Sequence, residues 1–160
     1  MTSLPESVSR PLHRRVSRVL LFDEHKRLLL MKTESPLLAV PVIRWITPGG
    51  GVDDHESHAE GAIRELFEET GLVVTDVGEP VWTVSGETTF HDGHVQSTYA
   101  EFFVVHTQGF EPVNHNWMPN EFSDIHDVRW WYLDDLRKTD DPYGPLNLVD
   151  LAQRVLHGDE

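Results

Sequence analysis

Apolar residues along this chain repeat with two different periods. From Val16 to Phe22 they are β-branched and dense; they break at Asp23-Glu24-His25-Lys26 and resume from Arg27 to Met31. That pattern predicts two strands joined by a polar turn. Thr33 to Val42, with two prolines, predicts a surface loop. Val42 to Ile46 predicts a short strand running into Thr47-Pro48-Gly49-Gly50-Gly51, where proline and glycines end regular structure. Val81 to Thr89 and Val95 to His106 predict two more strands. Between them lies His91-Asp92-Gly93-His94, whose Asp-Gly pair favours a tight hairpin. Val128 to Leu133 predicts a further strand. It follows a long polar connection, Gln108 to Asp127, and loops of that length in a compact domain are often functional.

Two segments change to a helical period. Ser57 followed by Glu60 forms a capping box. Behind it Ala59, Ala62, Ile63, Leu66 and Phe67 make one apolar stripe for the core. Gly71 stands where a left-handed residue closes a helix, and Leu72 can fold back on the last turn. The expected helix therefore runs from His58 to Thr70. Leu146, Val149, Leu151, Val155 and Leu156 predict a closing amphipathic helix over Leu146 to Leu156. Strands interleaved with two helices imply an α/β or α+β sandwich. The expected organisation is one domain, 16–157, behind a flexible N-terminal arm, 1–15, which has basic residues but no apolar signal-peptide core.

Composition removes several function classes. The absence of cysteine excludes disulfides, thiolate metal sites and thiol nucleophiles, and fits a cytoplasmic protein. No apolar run approaches the ~18 residues that cross a bilayer, so no membrane partner is expected. A net charge of −14, from 27 acidic residues against 13 Lys and Arg, argues against duplex nucleic acid as a partner. The ten histidines lack zinc spacing; His55 and His58, beside the helix, have a phosphate contact as their functional reading. Trp45, Trp82, Phe90, Tyr99, Phe103 and Trp117 are read mainly as core aromatics rather than a base-stacking platform.

The polar face of the expected helix stands apart. Glu65, Glu68 and Glu69, at i, i+3 and i+4, are neighbours there. Each like-charged pair costs an isolated helix roughly 0.2–0.5 kcal/mol. Taken alone, an acidic helix face is usually solvated surface. Its context points elsewhere. Glu56 lies eight residues before Arg64, Gly50 lies six before Glu56, and Arg64-Glu65-Leu66, Glu68-Glu69 and Gly71-Leu72 complete the pattern. Carboxylates so grouped suit hard, oxygen-liganded cations such as Mg2+ or Mn2+.

From Gly50 to Leu72 this pattern resembles the complete box of the Nudix hydrolase superfamily. Looser similarity covers Trp45 to Gly51 and Arg129-Trp130-Trp131 with Leu133 to Leu136. The resemblance implies an α/β/α sandwich on a central mixed sheet, with the box as strand, loop and helix. It further implies that Glu65, Glu68 and Glu69 bind metal, with the Gly50 carbonyl as an added ligand. Arg64 would orient a catalytic glutamate through an ion pair, and Glu56 and Gly71 would brace the box. Glu65 is one candidate base. Many family members take a glutamate from a distal loop, for which Glu121 matches best and Glu101 is a second candidate. Arg44, beside the Pro-Gly turn, is a candidate phosphate contact.

The expected function is Mg-dependent hydrolysis of the pyrophosphate bond in a nucleoside diphosphate linked to another group, such as a nucleoside triphosphate, a nucleotide sugar or ADP-ribose, or a dinucleoside polyphosphate. Cations would neutralise the anionic diphosphate and lower the pKa of an attacking water. The expected partner is a nucleotide-type small molecule, and a homodimer is open to such a domain. The alternative is a nucleotide-sensing module without catalysis, which an intact set of box carboxylates disfavours. A diphosphate isomerase on the same fold would need a cysteine that this chain lacks.

Overall fold

The structure is a computed structural model and describes residues 13–34, 43–111 and 124–158. Strand β1 (His13–Phe22) organises it. Alternation sends Val16, Leu20 and Phe22 to one face of the sheet, and Val19 and Leu21 to the other. A strand that is apolar on both faces has to be covered on both. Helix α1 (His58–Thr70) packs with Val19, Leu21 and Phe103 through Ala62 and Leu66. On the opposite face, α2 (Leu133–Lys138) and α3 (Leu148–Leu156) contribute Leu136, Leu148 and Leu151 to the core of Leu20, Phe22, Trp45 and Trp131. The result is the three-layer α/β/α sandwich on a mixed sheet.

The first hairpin is tied tightly at its turn and then opens. Asp23 Oδ1 accepts the backbone N–H of His25 and of Arg27, and its Oδ2 accepts Arg27 Nε at 2.7 Å. Beyond the turn, β1 and β2 (Leu28–Glu34) pair only at Phe22 and Leu28. From there β2 pairs with β3 (Ile43–Ile46) and β7 (Asp124–Trp131). β1 instead pairs with β4 (Gly49–Gly51) and, in parallel, with β6 (Val95–His106). β5 (Trp82–Thr89) closes that edge through the Asp92-Gly93 hairpin with β6. The seven strands form one sheet whose two halves diverge where β1 and β2 part. No helix among the described residues is long and apolar enough to cross a membrane.

Several expected boundaries move. His13, Arg14 and Arg15, expected to belong to the N-terminal arm, are part of β1, where they pair with Ser97, Thr98 and Tyr99. β2 continues past Met31 to Glu34, and β7 begins at Asp124, inside the segment read as a long loop. The closing helix starts at Leu148; Leu146, which joined its apolar spacing, is 91% exposed. Phe67 sits at the edge of the α1 stripe and is 43% exposed, because Ala62 and Leu66 make the contact with the sheet. Helix α2 was not expected. Six residues are too few to display a helical period, although Asp134 and Asp135 in its first turn and Arg137 and Lys138 in its last suit the helix dipole.

Candidate active site

The box folds as its residues dictate. Ser57 Oγ accepts the Glu60 N–H, and the Glu60 carboxylate accepts the Ser57 N–H. Gly71 closes the helix in the left-handed region at φ 80° and donates to Phe67 O at 2.8 Å. Gly49 takes φ 146° beside β1, where a Cβ would stand 2.1 Å from Ser17 O, so no side chain fits there. At Gly50 a Cβ would lie 2.7 Å from Glu65 Oε2, so the bare backbone lets that carboxylate lie against the loop.

Arg64 gathers the acids. Its Nε and Nη2 form a bidentate pair with Glu56, at 2.6 and 2.9 Å, and Nη2 also reaches Gly51 O at 2.9 Å. Nη1 donates to Glu65 at 3.2 Å and Glu68 at 3.4 Å. A planar fork is suited to bridging three carboxylates and a carbonyl at once. The hydrogen bonds from Arg64 hold Glu56 below the usual carboxylate range.

The metal-type carboxylates carry the opposite perturbation. Burial pushes the Glu65 carboxyl up, against the pull of Arg64. Glu69 keeps some solvent contact but is closely surrounded by protein. Burial, then the charge of Glu65, pushes it up to about 8, while its Oε1 accepts the Gly49 N–H at 2.8 Å. Such groups resist ionising together, and a bound divalent cation reverses that penalty. Their chemistry therefore fits a hard cation. Among the described residues, no three of the metal-ligating side chains converge into a cage. Glu65 and Glu68 turn toward Arg64, and Glu69 turns toward Gly49. The three acids share one helix face without meeting at a point.

Glu69 and Gly50 border a cavity of about 480 Å3 that extends over the sheet face bearing Val16 and Phe102. Arg14 and Arg18 project into it from β1, and Arg44 from β3. Arg18 donates to Thr47 O at 3.2 Å; burial draws its pKa down to about 10 against the opposing pull of Glu69. Burial also lowers Arg14, with Glu65 opposing. Arg44 lies over Gly144, in the segment that runs beside β3 through the Trp45–Tyr143 bridge. One carboxylate, Glu69, a glycine loop and three guanidinium groups on one cavity can hold a polyphosphate at one end and its attached group at the other.

Gly50, Glu56, Arg64, Glu65, Glu68 and Glu69 are thus brought together, and Arg44 lines the adjoining cavity. Glu121 lies outside the described residues, as does Trp117. Glu101 does not line the cavity. It accepts Tyr99 Oη at 2.9 Å and stands 4.0 Å from His58 Nδ1 on the α1 face. His58 is occupied in packing α1, with Ser17 Oγ, Val16 O and the edge of Tyr99 around its ring. Trp45 and Phe103 are core residues. Sequence reasoning missed Arg14 and Arg18. Their signal is period two: Arg14 and Arg18 alternate in register with Val16, Leu20 and Phe22, placing charge on an apolar strand face.

A family model described as the NUDIX domain matches residues 11–151. This chain belongs to the Nudix family, and its box carries the complete residue set of a Nudix hydrolase. An m7GpppN-mRNA hydrolase from Danio rerio is 42% identical over 71 residues, 44% of this chain but only 23% of that protein's length. A MutT protein from Methanosarcina mazei Go1 superposes with a TM-score of 0.66 at 22% identity, covering 98% of each chain. The NUDIX domain of Shewanella oneidensis NrtR, solved with ADP ribose, superposes at 0.62 with 20% identity, covering 96% of this chain and 94% of that one. At these identities the structural likenesses speak for the fold.

Proposed function

We propose that the chain hydrolyses the pyrophosphate bond of a nucleoside diphosphate linked to another group, with Mg2+ as its cofactor. One observation carries the reading: Glu69 and the Gly49-Gly50 loop of the box border a cavity into which three arginines, Arg14, Arg18 and Arg44, also project. Arg14, Arg18 and Arg44 bind and orient the phosphate oxygens, and Glu65, Glu68 and Glu69 hold the cation. When bound, that cation supplies charge neutralisation and a more acidic water. Glu65, raised by burial and steadied by Arg64, accepts a proton from the attacking water. Glu121 is the other candidate for that proton. The nucleotide-linked ligands named for relatives support this substrate class and leave its second group open.

The test is a panel of nucleoside triphosphates, nucleotide sugars, ADP-ribose and dinucleoside polyphosphates with Mg2+ or Mn2+, with products identified by mass in heavy-oxygen water. Cleavage between phosphates that stops on chelation is the expected result. Tight binding of nucleotides without turnover would instead make the chain a sensing module, and turnover that persists after chelation would remove the metal from the mechanism.

A further inference from the structure

Gly86 stands in the middle of β5, where neither the backbone nor the packing calls for a glycine. Its φ lies outside the left-handed region, and its pairing with Thr98 belongs to a ladder that runs without a bulge from Trp82–Phe102 to Thr89–Val95. Among the described residues, only Thr98 Oγ1 comes within 4 Å of a Cβ built at Gly86, at an ordinary 3.7 Å. A Cβ therefore fits the fold there. Glycine inside a strand weakens it, and where no bulge or tight bend requires one, it marks a place where another molecule comes close to the backbone. The face that Gly86 presents is a cavity wall. Val84 and Thr88, two residues to either side, line the same cavity, as do Ala100 and Thr98 across the ladder on β6. Val84 is exposed, so this wall holds an apolar side chain that the protein leaves uncovered.

The register locates this wall relative to the phosphates. Arg14 pairs with Thr98 and Thr98 with Gly86, so Gly86 lies two strand spacings, ~10 Å, from Arg14 across the sheet. The Gly49-Gly50 loop and Glu69 border the cavity on the other side of β1. Phosphates gathered by Arg14 and Arg18 therefore leave the organic group attached to them over β6 and β5. A side chain at position 86 would stand up from that floor, and its absence leaves a shallow seat between Val84 and Thr88. Every nucleobase has a flat face that such a seat fits. We propose that Gly86 is a specificity-determining residue, which admits the flat face of the substrate's base by withholding a side chain. This rests on the reading of the site as a nucleotide hydrolase.

The experiment takes the best nucleotide substrate of the panel above and measures its kcat and KM in the wild type, Gly86→Ala and Gly86→Val. Inorganic triphosphate, which has phosphates and no base, is titrated against it as a competitor. An excess methylene in a pocket is worth roughly 10- to 200-fold, so kcat/KM should fall about tenfold in Gly86→Ala and on the order of 100-fold in Gly86→Val. The loss should appear in KM, and the inhibition constant of inorganic triphosphate should be unchanged. The melting temperature should hold or rise in both variants, because the strand loses its glycine. An unchanged KM in Gly86→Val overturns the proposal, as does an equal weakening of nucleotide and inorganic triphosphate. If Gly86→Val melts early, Gly86→Ala, whose Cβ has room beside Thr98, carries the test. A wild type that cleaves no member of the panel fails the hydrolase reading instead. Equilibrium binding of the four nucleoside triphosphates and of inorganic triphosphate to the three proteins then decides the role of Gly86, and a wild type that binds none of them overturns both.

Discussion

Helices α1 and α3 cover opposite faces of one sheet and are stabilised in opposite ways. α3 buries Leu148, Val149, Leu151 and Ala152 in nine residues and has no side-chain N-cap. Its polar face is balanced, with Arg137 of α2 reaching both Asp150 and Gln153. α1 buries less apolar bulk, through Gly61, Ala62, Leu66 and Thr70, and carries a full capping box. Its polar face sets Glu65 against Glu68 and Glu69. Those two like-charged pairs cost roughly 0.4–1 kcal/mol, which a good N-cap, worth about 1 kcal/mol, can offset. A helix held by packing has no need of such end signals. A helix that must keep unbalanced charge draws its stability from its ends and from Arg64.

Four changes test that contrast, beginning with the largest. Glu69→Gln should lower Mg-dependent hydrolysis on the order of 1000-fold, since a metal site supplies several kcal/mol at the transition state. Its metal-free melting temperature should hold or rise, because Gln is neutral without the proton that folded Glu69 must take up; a variant that unfolds would make Glu69 a structural residue. Leu151→Ala on α3 should do the reverse. It should cost about 2–5 kcal/mol in denaturant unfolding while leaving kcat per folded molecule unchanged.

The third change is pH. The folded-state pKa of Glu69, about 8, stands above that of an unfolded glutamate, roughly 4.3. The folded protein therefore holds the extra proton between those values. Metal-free stability is greatest at the acid end of that window, falls as pH rises toward 8 and then levels. One proton sets the slope at no more than about 1.4 kcal/mol per pH unit. Unfolding curves with chelator across this range should show the fall in the wild type and a shallower one in Glu69→Gln; parallel curves would refute it. Last, Ser57→Ala should cost about 1 kcal/mol and leave turnover unchanged, which separates the cap from the chemistry.

The same contrast marks what could be read along the chain. The bounds of α1 were legible to the residue, because Ser57, Glu60 and Gly71 encode them locally. The β5–β6 hairpin was legible for the same reason, through Asp92-Gly93. The box acids announced themselves by spacing alone. Their directions did not, because Arg64 and the Gly49 N–H turn them apart, and those partners come together only when β4 lies along β1. Arg14 and Arg18 lie on β1, outside the box, so their convergence with Glu69 and Gly50 on one cavity depends on the sheet register. Helix α2 escaped because one buried leucine, Leu136, makes no pattern.

The pairing of β1 with β6 bears on the order in which the molecule assembles. His13 and Ser97 stand 84 residues apart, yet the parallel ladder from His13–Ser97 to Phe22–His106 is the principal bond of the central strand. Closing so long a loop is slow relative to forming a local turn or helix. As the chain is synthesised, the first hairpin and the capped box helix emerge well before β6 exists to receive β1. The helix ends are written locally and need no partner, whereas the cavity wall beside them needs β6. Catalytic competence therefore arrives late in folding, with the long-range ladder, and a chain cut short before Val95 would carry every box residue and have no site.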